Sequence, residues 1–126
     1  MKKVVFIVEK TNTGYSAFAQ DYPVYTVGDS IVDVRKNILD AINTWFEHKN
    51  LPEITEGQIE LKLDIPQFFE FYKEINAKAI SKRIGMNESL LSQYVTGVKK
   101  PSTKQRTRIL EGIKALGKEL VNLELV

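Results

Sequence analysis

Between Gly28 and Phe46 the sequence commits to a helix that needs a sheet to lie on. Ser30 can cap its free N–H groups, and Asp33, three residues on, completes a capping box. Ile31, Val34, Ile38, Ala41, Ile42, Trp45 and Phe46 then recur at spacings of three and four, which gives one apolar stripe. Strand-like segments flank it on both sides. Residues 3–9 form a β-branched, almost wholly apolar run that suits a central strand. After the turn at Thr11-Asn12-Thr13-Gly14, Tyr15, Ala17 and Ala19 alternate with Ser16, Phe18 and Gln20, and residues 24–27 make a third strand past Asp21-Tyr22-Pro23. Beyond the helix, Ile59, Leu61 and Leu63 alternate with Glu60, Lys62 and Asp64. The expected order is βββαβ. Short connections make the first three strands an antiparallel meander, and the fourth, reached through the helix, runs parallel to the first by a right-handed crossover. Trp45 is assigned to the core by its place on the stripe in preference to a stacking platform, and His48 to the negative end of the helix dipole in preference to catalysis.

Composition narrows the chemistry. With no Cys and a single His, the chain cannot assemble a Cys/His zinc site or a cysteine nucleophile, so no metal or cofactor is expected. Lys2, Lys3 and the apolar run after them are too short for a secretory signal, and no apolar stretch approaches the roughly 18 residues of a membrane span, so a cytoplasmic protein with no membrane contact is expected. The parallel arrangement would bring Glu9 and Asp64 to the same ends of neighbouring strands. Two carboxylates so placed could contribute to a Mg²⁺ site of a nuclease, but two-metal hydrolysis needs more ligands, and strand-end residues facing water are the simpler account.

The net charge of +2 conceals two opposed halves. Residues 1–66 hold seven bases against ten acids, net −3, whereas residues 67–126 hold eleven bases against six acids, net +5. Such a step suggests two modules, and the basic one suits a polyanion. They divide near Ile65-Pro66, giving an α/β domain over 1–64 and an all-α domain over 65–126, an α+β chain in all.

The second half carries the most specific pattern. After the aromatic segment Phe68, Phe69, Phe71 and Tyr72, the stretch 76–97 reads as two short helices with a break. Ala79, Ile80 and Ile84 face inward on the first, Gly85 supplies a left-handed end, and Asn87 caps the next. Leu90, Leu91 and Tyr94 point inward, which leaves Glu88, Ser89, Ser92 and Gln93 on the outer face, where short hydrogen-bonding side chains suit base edges. Asn87, Lys99, Lys100 and Lys104 flank that helix where phosphates would run. The residues Ile-Ser-Lys-Arg-Ile-Gly (80–85), the following helix, and Gly-Val-Lys-Lys-Pro-Ser (97–102) resemble the helix-turn-helix of the lambda-repressor-like (Xre-type) DNA-binding family. Ser81 stands where that family usually has Ala, and it is small enough for the helix contact. A bundle used only for protein contact is the competing account. Further on, Ile109, Ile113, Leu116, Leu120 and Leu123 form a seam at spacings of 4, 3, 4 and 3, and Ile113, Leu116, Leu120 and Leu123 are assigned to a homodimer or higher even oligomer.

The N-terminal pattern Val-Val-Phe-Ile-Val-Glu, then Gly-Tyr-Ser-Ala-Phe, then Thr-Val-Gly-Asp-Ser with its helix resembles the HicB family, a partial RNase H-like domain joined here to a C-terminal helix-turn-helix. That resemblance implies the non-enzymatic antitoxin of a type II toxin–antitoxin pair, which masks a small basic HicA-type mRNA-cleaving toxin and represses its own operon by binding double-stranded operator DNA. Two other functions remain open on the sequence: a stand-alone repressor whose first domain senses a small ligand, and a Mg²⁺-dependent nuclease.

Overall fold

Strand β1 (Val4–Lys10) occupies the interior of the sheet because both its edges are paired and one of its faces is packed. In the computed structural model, which describes residues 3–126, it runs antiparallel to β2 (Tyr15–Ala19) and parallel to β4 (Ile59–Lys62). β2 pairs antiparallel with β3 (Tyr25–Gly28), so the order across the sheet is β3-β2-β1-β4. The described residues form five α-helices and a four-stranded mixed sheet, an α+β architecture. Lys2, counted above among the N-terminal bases, lies outside the described residues. No helix among the described residues is long and apolar enough to cross a membrane.

Two compact units divide the chain, residues 1–67 and 68–126. In the first, Val4, Phe6 and Val8 on β1 are buried with Ala17 and Ala19 on β2. Helix α1 (Ile31–His48) buries Val34, Ile38, Ile42 and Phe46, a row spaced at four residues. Each such side chain contributes roughly 1.5–3 kcal/mol when removed from water, so this layer is the main source of the unit's stability. Ser30 starts α1, its Oγ accepting the Asp33 N–H at 3.1 Å, one half of the expected capping box. Gly28, at the end of β3, allows the close approach that follows: a Cβ there would stand 2.6 Å from the Val34 nitrogen and 2.8 Å from its Cα.

Local departures from the sequence expectation have local causes. β3 begins at Tyr25 rather than Val24, because the Val24 N–H turns back to the Tyr22 carbonyl at 2.8 Å while its own carbonyl accepts from the Ala19 N–H at 2.9 Å. β4 ends at Lys62, leaving Leu63 and Asp64 outside the strand. Asp64 instead accepts the Gln67 N–H on Oδ1 at 2.9 Å, in the first turn of α2 (Ile65–Phe71). The loop after α1 is held by a two-way amide clamp. Asn43 donates from Nδ2 to the Ile54 carbonyl at 3.0 Å and accepts the Ile54 N–H on Oδ1 at 2.8 Å.

The second unit continues with helices α3 (Ala77–Ile84), α4 (Glu88–Val95) and α5 (Thr103–Val121). Ile80, Ser81, Leu91, Tyr94 and Ile109 are buried, so all three helices contribute to the core.

Gly28→Ala should destabilise the protein by about 1–3 kcal/mol, the usual cost of forcing atoms into a packed contact. It should read as a lower urea midpoint at unchanged m value. Gly117→Ala, where an added Cβ meets nothing within 4 Å on helix α5, should stabilise the protein by roughly 0.5–1 kcal/mol through helix propensity, seen as a higher urea midpoint.

Candidate functional site

Two surfaces carry the residues singled out in the sequence, one in each unit. In the second, α3 and α4 are joined by three residues, and the joint is fixed by backbone chemistry. Gly85 takes φ +67°, ψ +30°, the left-handed conformation that ends α3 at little steric cost. Asn87 then caps α4, its Oδ1 accepting the Leu90 N–H at 3.1 Å. Between them Met86 is buried. Ser81 is 1% exposed, and its hydroxyl donates to the Lys78 carbonyl at 2.6 Å, so this buried polar group is satisfied inside its own helix.

Leu91 and Tyr94 of α4 are buried and Leu90 is half-buried, which turns Glu88, Ser89, Ser92 and Gln93 outward. Glu88 approaches the Lys78 ammonium at 3.8 Å, an exposed pair of the kind that contributes little. Asn87, Lys99, Lys100 and Lys104 are exposed as well. The Lys99 N–H donates to the Gln93 carbonyl at 3.2 Å, which folds the basic loop back onto the end of α4. Gly97, at φ +80°, makes that reversal. The arrangement is a short helix with an uncovered polar face and cations on the adjoining loop.

Arg108 is a residue that sequence reasoning missed. Its Nη2 donates to the carbonyls of Ile84 at 2.9 Å and Gly85 at 2.8 Å, satisfying acceptors that the end of α3 leaves open. A basic residue on a basic helix carries no signal for such a role, because the contact spans 23 or 24 positions of chain. Arg83 likewise pairs with Glu119.

The expected seam on α5 divides. Ile109 is buried, Ile113 and Leu116 are half-buried, and Leu120 is 58% exposed. Leu123 is not part of the helix, which ends at Val121 with Asn122 as its C-cap, the Asn122 side chain donating to the Lys118 carbonyl at 3.0 Å. The helical seam assigned to self-association is therefore shorter than its sequence spacing implies.

In the first unit the two carboxylates expected at strand ends are placed differently: Glu9 lies within β1 and Asp64 beyond the end of β4. Asp64 is engaged with Gln67, whose own Oε1 accepts the Lys10 N–H at 2.8 Å. Among the described residues, no group of three or more His, Cys, Asp or Glu is placed to hold a metal ion. A concave feature of this unit lies between β3 and α1. An open groove of about 620 Å³ is lined by Tyr25, Thr26, Asp40, Thr44, Trp45 and His48, among others. Trp45 corrects its assignment to the core: it is half-buried on the groove wall, because the row Val34, Ile38, Ile42 and Phe46 already fills the contact with the sheet. The Lys49 ammonium sits 4.8 Å from the centroid of its ring, and the His48 ring lies 6.4 Å from it. His48 is in the last turn of α1, where a basic residue was expected.

No protein-family profile matches the chain, and no solved structure matches it. A curated protein of Archaeoglobus fulgidus, described as a UPF0150 protein, is 30% identical over 53 residues, which are 42% of this chain and 80% of that protein. A protein of that length has room for one of the two units.

Arg108→Ala should cost about 1 kcal/mol, the worth of exposed charge-assisted bonds, measured as a lower urea midpoint.

Proposed function

Because the chain belongs to the UPF0150 family, a HicB-like family, we propose that it is the antitoxin of a type II toxin–antitoxin pair. In this account the first unit binds a small basic HicA-type ribonuclease and covers its RNA-binding face, while the second represses the shared operon as a helix-turn-helix. The chain performs no chemistry of its own. The observation that carries the proposal is the family relationship, and the sheet order, with a central β1 between an antiparallel and a parallel neighbour, is compatible with a partial RNase H-like fold. The net charge of −3 on residues 1–66 favours capture of a basic protein by electrostatic steering.

The DNA-binding half of the proposal is supported by the α3–α4 pair, the buried Ser81 at the inner contact, and the exposed Glu88, Ser89, Ser92 and Gln93. In a helix of this kind those side chains enter the major groove, while Asn87, Lys99, Lys100 and Lys104 hold phosphates. Two copies, joined through the exposed apolar residues of α5, would read two half-sites.

Co-expression of the full chain with the product of the neighbouring reading frame should yield a co-purifying complex with a short basic protein, and relief of growth arrest. Recovery of this chain alone, with no protection, overturns the antitoxin assignment. Separately, Gln93→Ala should cost on the order of 1–3 kcal/mol on operator DNA and little on random DNA. Lys99→Ala should weaken both alike and reduce the slope of log K against log salt by about 1. Unchanged affinity for both DNAs in Gln93→Ala removes α4 as the reading helix.

A further inference from the structure

An ion pair joins α3 and α4 at the ends where they begin. Lys78 is the second residue of α3 and Glu88 the first of α4, and their charged groups stand 3.8 Å apart with both side chains more than half exposed. Helix electrostatics account for only one of the two. A carboxylate in a first turn meets the positive end of the helix dipole, whereas an ammonium there opposes it, and α3 has no acid in its own first turn to offset Lys78. An exposed pair of this kind also contributes little to stability. The fold therefore gains little from Lys78, and the pair keeps both charges accessible to a ligand.

Glu88 limits what that ligand can be. A carboxylate only accepts hydrogen bonds, so on a helix lying in a major groove it finds no partner in phosphate or in any base atom other than an amine. The groove offers two amines, cytosine N4 and adenine N6. On adenine the acceptor N7 lies beside the amine and repels a carboxylate, whereas cytosine carries no acceptor on that edge. Its partner guanine presents O6 and N7, both acceptors, and these suit an ammonium. Cytosine N4 bonds guanine O6 across the base pair at roughly 2.9 Å, so a C·G pair shows a donor and an acceptor at a separation that the 3.8 Å ion pair can meet.

We propose that Lys78 and Glu88 together read one C·G base pair in each half-site, Glu88 accepting from cytosine N4 and Lys78 donating to guanine O6 or N7. This rests on the helix-turn-helix reading of the second unit and names a base pair that its surface selects. It also gives Lys78, a residue of the first helix, a place in recognition beside the residues of α4. The charge of Lys78 further offsets the repulsion between Glu88 and the phosphates that flank the groove. The neighbouring hydroxyls of Ser89 and Ser92 both donate and accept, so they tolerate several bases. A carboxylate paired with an ammonium fits one base pair in one orientation.

Selection of duplexes from a random DNA library by the full chain, followed by titration of the enriched duplex, tests the assignment. The unmodified chain should enrich half-sites with a C·G pair at a fixed position, and exchange of that pair for T·A should weaken binding about tenfold. Glu88→Ala should lose the preference at that position alone, binding the two duplexes within about twofold of each other. Glu88→Gln should move the preference to A·T, because an amide pairs with adenine N6 and N7. Lys78→Ala should narrow the original preference to about threefold. A loss of structure lowers affinity for every sequence and does not change the base chosen at one position. Both side chains are exposed, and unchanged circular-dichroism melts will show that the variants fold. Enriched half-sites with the same base preferences in Glu88→Ala as in the unmodified chain overturn the assignment and leave the helix-turn-helix reading standing. An undiminished preference in Lys78→Ala overturns the part given to Lys78. An unmodified chain that enriches no sequence overturns the assignment and the helix-turn-helix reading together.

Discussion

The pairing of β1 with neighbours of opposite sense constrains everything else in the first unit. β2 can follow β1 through a short turn because it is antiparallel, with Lys10 opposite Tyr15 at the turn. β4 cannot, since a parallel neighbour must start at the same end as β1, and Val4 faces Ile59. The chain therefore has to travel the length of the sheet before β4 begins, and α1, 18 residues long, makes that journey. Its buried row Val34, Ile38, Ile42 and Phe46 reaches the last turn, so Trp45 and His48 line a groove because they lie beside that row on the helix, not beyond its end.

The same geometry explains which parts of the fold were legible in the sequence. Ser30, Gly85 and Asn87 were readable because a cap or a left-handed residue is decided within three or four positions, and the structure uses each as the sequence implies. The strand order was readable because alternation and connection length together leave few arrangements. Trp45 was not, since a stripe of seven apolar residues is wider than the contact a sheet offers, and sequence spacing does not say which margin stays uncovered. Asp64 was misplaced for a related reason. A carboxylate after a strand and before a Pro-containing helix serves either as a strand-end polar group or as a helix cap, and the distinction depends on where the strand stops. Leu123 fitted a heptad by number, but Asn122 ends the helix first.

The outward surfaces of the two units differ in how they are held rigid. On α4, Ser89, Ser92 and Gln93 stand on a helix tied at its start by Asn87 and followed by a loop tied back through Lys99. The arrangement places short polar side chains on a fixed backbone. The charge lies beside them on Lys99, Lys100 and Lys104. In the DNA-binding reading proposed above, the first group would select and the second would position.

In the first unit the division is between main chain and side chain. An edge strand such as β3 exposes main-chain groups that any other strand could pair with, and this hazard grows when the edge also presents apolar residues such as Tyr25 and Val27. Asn37 reduces it by occupying the Val27 carbonyl from the helix side, while the close contact at Gly28 holds α1 near enough for an amide to reach. Once that carbonyl is occupied, the edge offers an added strand one acceptor fewer, so the packing that brings α1 onto the sheet also lowers the capacity of β3 to pair with another chain.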